Sequence, residues 1–144
     1  MEITVVKEFS FAASHFLPNH PGKCQNLHGH TYKLQVGVRG KVDPETGMVV
    51  DFGKLKNLVE KTIIEKLDHG YLNTMGGRAK DKGDKDLQTF PHNLPTAELM
   101  VEWIVRTLGE YLLNEWEDLV ILCFVRLYES PITPVAYAEW RGVF

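Results

Sequence analysis

Lys23-Cys24-Gln25-Asn26-Leu27-His28-Gly29-His30-Thr31-Tyr32 is the stretch on which the reading of this chain turns. From His28 onward it has the character of extended chain, in which alternate side chains share a face. His28 and His30 then project together, and Gly29 adds no side chain between them. Two imidazoles so placed suit one metal ion. A His-x-His pair arises often by chance, so its weight depends on what the rest of the chain brings to the same point. Tyr32, Leu34, Val36 and Val38 continue on the same parity, which predicts a strand over residues 32–42.

On the N-terminal side, Ile3, Val5, Phe9, Phe11 and Ala13 alternate, with only Lys7 breaking the pattern. This predicts a strand over residues 3–16 with His15 in its apolar register. Pro21-Gly22 marks a turn between the two strands. An antiparallel hairpin follows, and it brings His15 beside His28 and His30. A histidine closing an apolar face is by itself more often a hydrogen-bonded core residue. Opposite a His-x-His it reads as a third ligand.

On the C-terminal side, Asp51 suits a helix N-cap, and Phe52, Leu55, Leu58, Val59, Ile63 and Leu67 recur at helical spacing. Asp68-His69 stands at the end of this helix, and Gly70 offers its stop. Residues 71–93 are polar and glycine-rich, either a solvated insertion or a lid placing Arg78, Lys80, Lys82 and Lys85 over a phosphate. Pro95-Thr96 opens a second helix, with Thr96 as N-cap, Glu98 in the first turn, and Leu99, Trp103, Leu108, Tyr111 and Leu112 on its apolar side. Residues 119–128 form an almost unbroken apolar strand in which Cys123 reads as an inert core thiol. Glu129 ends it, and residues 135–140 form a last short strand. Two helices cover only one face of such a sheet, so the doubly apolar strand points to burial against another subunit.

The order is therefore β-β-α-α-β-β in one domain spanning residues 1–144. A net charge of −3 argues against a nucleic-acid partner. No apolar run is long enough to cross a bilayer, the N-terminus lacks a signal-peptide pattern, and two cysteines in unlike surroundings suit a reduced, cytoplasmic protein.

Three histidines from adjacent strands make a natural zinc site with its fourth position open. Cys24, next to Lys23 and near the metal, is either a thiolate base or nucleophile or a fourth ligand that closes the site. Asp68-His69 pairs a carboxylate with an imidazole suited to proton transfer near neutrality, although a helix-terminal histidine needs no such role. Glu129 either faces solvent or accepts the paired N–H donors of a guanidine-like edge.

Taken in order, Phe11-Ala12-Ala13-Ser14-His15, Cys24-x-x-x-His28-Gly29-His30, Gly47-Met48-Val49-Val50-Asp51-Phe52, Leu67-Asp68-His69, Leu72-Asn73, Pro95-Thr96-Ala97-Glu98 and the late Glu129 resemble the 6-pyruvoyl-tetrahydropterin synthase / 6-carboxy-tetrahydropterin synthase family. The resemblance runs from the first strand to the last. It implies an α+β tunnelling fold (T-fold): a four-stranded antiparallel sheet with two helices on one face. Subunits would join their sheets into an oligomeric barrel, a homohexamer built as a dimer of trimers, with active sites at subunit interfaces. It also implies a zinc ion (Zn2+) on His15, His28 and His30, and Cys24 as proton acceptor assisted by Asp68 and His69. Glu129 would anchor the pterin, with Thr96 and Glu98 near its pocket. Three residues separate Cys24 from His28, as in the bacterial carboxy synthases of the queuosine and 7-deazapurine pathway. Animal pyruvoyl-forming members resemble this pattern with five, and a folate-linked branch carries glutamate in place of the cysteine. The expected substrate is thus 7,8-dihydroneopterin triphosphate. Residues 70–93 look longer than in compact bacterial relatives.

Overall fold

A computed structural model describes residues 1–73, 94–116 and 119–144. The chain forms a hairpin of two fourteen-residue strands, β1 (Glu2–His15) and β2 (His28–Lys41), paired from Glu2 opposite Lys41 to His15 opposite His28. The His-x-His pair thus opens β2 itself, earlier than the strand start expected at Tyr32. A helix, α1, follows as Phe52–Val59, a wider stretch with π-type spacing at Glu60–Ile64, and a final turn, Glu65–Leu67. Asp51 caps it, its side chain accepting from the Lys54 amide. After β3 (Gly70–Tyr71) come α2 (Ala97–Trp116), β4 (Val120–Ser130) and β5 (Ala136–Arg141).

The sheet corrects the four-stranded expectation. Its order is β3-β1-β2-β4-β5, five strands, and β3 runs parallel to β1 through Ala13 and Ser14. The other pairings are antiparallel. The extra strand arises because α1 stops against the β1 edge: the His69 amide donates to the Ala12 carbonyl and the Leu72 amide to that of Ser14. Two residues of strand are too short to leave a period-two signal.

One face of the sheet packs on both helices. Phe9, Phe11, Ala13 and His15 of β1 and Tyr32, Leu34, Val36 and Val38 of β2 are buried there, as the alternation predicts. Against them lie Leu55, Leu58, Val59, Ile63 and Leu67 of α1 and Met100, Ile104, Leu108 and Leu112 of α2. Phe52 and Tyr111, placed on the apolar sides by spacing, lie largely exposed.

The strand register divides the apolar run of β4 between the two faces of the sheet. The register shifts between Gly37 and Val38, so one extra residue of β4 sits opposite that step. A bulge reverses the parity, and Val120, Leu122, Val125 and Leu127 all turn toward the helices. Phe124 is left on the other face, buried outside the main core. Cys123 is half-buried on that side too, with Sγ 3.5 Å from the Gly37 carbonyl, which corrects its reading as an inert core thiol. Much of the apolar excess is therefore absorbed within the chain.

Candidate metal centre

The site forms where the β1–β2 hairpin closes. His15 ends β1, His28 opens β2 directly opposite, and His30 follows on the same face two residues on. One ring nitrogen from each lies within 4.8 Å of the others, and among the described residues this is the one group able to hold a metal ion. His15 Nε2 is 3.1 Å from Nε2 of both His28 and His30. Three nitrogens about 2.0–2.1 Å from one tetrahedral zinc ion stand roughly 3.3 Å apart, so the spacing fits.

The tautomers strengthen the fit. His15 Nδ1 lies 2.9 Å from the Pro95 carbonyl, and His28 Nδ1 lies 2.7 Å from the Asn26 carbonyl. A carbonyl only accepts, so both Nδ1 atoms carry the proton and donate. In the neutral rings both Nε2 atoms then present lone pairs to one another at 3.1 Å. Facing lone pairs repel, and a cation between them removes the repulsion. Carbonyl partners behind metal-ligating imidazoles are the usual orienting device. His15 is fully buried, and burial is the main influence holding its pKa, and that of His30, below the ordinary value. Both rings therefore favour the neutral form that binds metal. Glu129, on β4 rather than beyond its end, brings a carboxylate oxygen to 3.6 Å from His30 Nε2. It adds negative charge beside the imidazoles.

Cys24 stands apart from this group. It occupies a single 3₁₀ turn, Lys23–Gln25, half-buried, with its carbonyl accepting from the Leu17 amide at 2.7 Å. The donor group contains the three histidines and no thiol.

Asp68 and His69 lie at the β1 edge. Asp68 Oδ1 accepts from the Ala12 amide at 3.0 Å, and Oδ2 is 3.0 Å from His69 Nδ1. The Ala12 hydrogen bond, with help from His69, holds the Asp68 carboxyl below its ordinary range. His69 is 84% exposed and has φ of +57°, the left-handed conformation. The helix stop expected at Gly70 is thus one residue earlier. A non-glycine residue there is strained by about 1 kcal/mol or more. His69→Gly is therefore expected to raise the urea unfolding free energy by roughly 0.5–1 kcal/mol. An unchanged or lower value would show that the strain is relieved elsewhere.

His69 and His30 line one shallow concavity with Ala13, Ser14, Gly29 and Gly70, and Cys24 is not part of that lining. Thr96 acts as the N-cap of α2, accepting from the Leu99 amide at 3.3 Å. Glu98 lines a separate groove of about 700 Å3 between α2 and β5, with Glu139, Tyr137 and Trp140 among its walls. The structure thus unites His15, His28, His30 and Glu129, brings His69 to a concavity that His30 also lines, and leaves Cys24 and Glu98 outside. Arg78, Lys80, Lys82 and Lys85, the candidate lid residues, lie outside the described residues. Two contributors had no signal of their own in the sequence: the carbonyls of Asn26 and Pro95, which set the imidazole tautomers. Pro95 stands eighty positions from the ring it orients.

Comparison with known proteins gives a consistent picture. The profile of the family described as 6-pyruvoyl tetrahydropterin synthase matches residues 4–142. The chain is 34% identical over 140 residues to a 6-carboxy-5,6,7,8-tetrahydropterin synthase of Haemophilus influenzae, covering 94% of this chain and 98% of that protein. It is 33% identical to a 6-pyruvoyl tetrahydrobiopterin synthase of Homo sapiens, covering 92% and 89% respectively. The structure of Caenorhabditis elegans 6-pyruvoyl tetrahydropterin synthase superposes with a TM-score of 0.75 at 27% identity, over 99% of this chain and 96% of that one.

Proposed function

The chain belongs to the 6-pyruvoyl tetrahydropterin synthase family, and we propose that it converts 7,8-dihydroneopterin triphosphate to 6-carboxy-5,6,7,8-tetrahydropterin, acetaldehyde and triphosphate. It would be a carbon–carbon lyase of queuosine and 7-deazapurine biosynthesis. The observation that carries an enzymatic reading is the convergence of three imidazole nitrogens without a thiol among them. Such a group leaves a metal position open to substrate, the arrangement of catalytic rather than structural zinc. The three-residue spacing from Cys24 to His28, and likeness to the H. influenzae carboxy synthase, favour the carboxylated product.

In this reading His15, His28 and His30 hold the zinc, whose Lewis acidity acts on the side-chain hydroxyls of the substrate. Cys24 accepts a proton as thiolate, and His69, oriented by Asp68, moves protons with it. Glu129 pins the guanidine-like edge of the pterin, while Thr96, the N-cap of α2, and Glu98, in the α2–β5 groove of its own chain, contribute to the pocket only where a neighbouring subunit completes it. Among the described residues, the concavity lined by His69 and His30 does not include Cys24, so the proposal includes sites completed between subunits. The exposure of His69 at the β1 edge supports this. So do the sheet's outer strands, β3 at one end and β5 at the other, to which neighbouring sheets would pair in a homohexameric barrel. A cytoplasmic setting belongs to the same proposal.

The test is direct. Zinc-loaded protein incubated with 7,8-dihydroneopterin triphosphate should release acetaldehyde together with a carboxylated tetrahydropterin identified by mass. Triphosphate release with a pyruvoyl product would instead assign the sister activity, which the likeness to the human enzyme supports. Unchanged substrate, with metal bound and fold intact, would leave a zinc- and pterin-binding oligomer without turnover.

A further inference from the structure

The sheet face turned away from the helices carries a hollow that the metal chemistry does not use. Strand register builds it: Thr4 pairs with Arg39, Gln35 with Arg126, and Phe124 with both Gly37 and Arg141. Gly37 makes room for Phe124, since a Cβ added there would stand 2.9 Å from the Phe124 Cβ. The guanidinium carbons of Arg126 and Arg141 lie 5.3 and 4.7 Å from the Phe124 ring centroid. The hollow encloses about 450 Å3, within the range of small-molecule sites.

Among the described residues, its charged lining is Arg39, Arg126 and Arg141, with no carboxylate. A single carboxylate, Glu139 on β5, serves both Arg126 and Arg141. Arg39 Nε stands 3.4 Å from a Glu2 oxygen and, though shielded from solvent, has no hydrogen-bond partner among the described residues. Among the described residues, three guanidinium groups thus face two carboxylates, Glu2 and Glu139, a local excess of positive charge in a chain of net charge −3. Guanidinium forks match phosphate oxygens two at a time, and contact with an aromatic face holds them in place.

We propose that this hollow binds an oligophosphate anion through Arg39, Arg126 and Arg141. The site lies on the sheet face opposite the histidine cluster and does not depend on the proposed reaction. Two sources share the chemistry, free inorganic triphosphate and the triphosphate chain of a nucleotide.

Calorimetric titration of the zinc-loaded protein with inorganic triphosphate, and separately with ATP, tests it. Both probes should bind the wild type. Binding should weaken about tenfold or more in Arg39→Gln and in Arg141→Gln, stay unchanged in Arg106→Gln on the α2 surface, and persist in His28→Ala. Any heat from zinc chelation is common to the wild type and the arginine variants, so their difference isolates the hollow. Arg141 is two-thirds exposed, so its variant keeps the test intact should Arg39→Gln fail to fold. No binding to the wild type, equal binding by both arginine variants, loss in His28→Ala alone, or a response to ATP without one to inorganic triphosphate would each overturn the assignment.

Discussion

Cys24→Ala is expected to lower turnover by roughly 10²–10⁴-fold while zinc content and fold stay unchanged, the loss typical of removing a positioned proton acceptor. The local structure makes this substitution a clean one. The turn at Lys23–Gln25 is held by main-chain bonds, among them Leu17 amide to Cys24 carbonyl, and none of these uses the sulfur. The thiol is half-buried and lies outside the donor group, so its removal opens little core and takes no ligand from the metal. Steady-state kinetics and zinc analysis on the same preparation separate the readings. Unchanged turnover would remove Cys24 from the mechanism. Loss of zinc together with turnover would make it a fourth ligand and turn the site into a closed, structural one.

His28→Ala is expected to abolish stoichiometric zinc, from about one ion per chain to a small fraction after desalting, with activity lost alongside. The two remaining imidazoles form an incomplete set, and ions on two ligands exchange readily. Facing lone pairs on His15 and His28 lead to a second, less obvious expectation. Without metal, the repulsion that the substitution removes should offset part of the stability lost with the His28 Nδ1 bond to the Asn26 carbonyl. A chelator should then lower the melting temperature of the wild type, which loses the stabilisation of a bound ligand, and leave that of His28→Ala unmoved. Retained zinc with an unaltered response to chelator would count against this ligand set.

Much of the site was legible before any coordinates. The alternation through Phe9, Phe11 and Ala13 carried His15 into the same register as the core, and its pairing with His28 followed from joining the two strands as an antiparallel hairpin across the loop of residues 16–27. Those signals are strong because a strand has a period of two and one face is buried, so a slip of one residue would expose the entire apolar set. The N-caps at Asp51 and Thr96 were equally readable, since short polar side chains before an apolar helix have one common use there.

Other features left weaker traces. The bulge in β4 adds one residue and reverses parity, and in an unbroken apolar run such a reversal is invisible. The left-handed turn falls on His69 because its amide is drawn to the Ala12 carbonyl, although Gly70 is the better residue for the conformation. The tautomers of His15 and His28 depend on carbonyls of Pro95 and Asn26, and every residue has a carbonyl. By itself, then, the sequence determined the hairpin, the histidine set and the two capped helices, because periodicity and side-chain type act locally. Only the tertiary structure decided that the imidazoles point lone pairs at one centre, that Cys24 stands apart from them, and that three arginines gather around Phe124. Each of those depends on main-chain groups and strand register that distant parts of the chain impose.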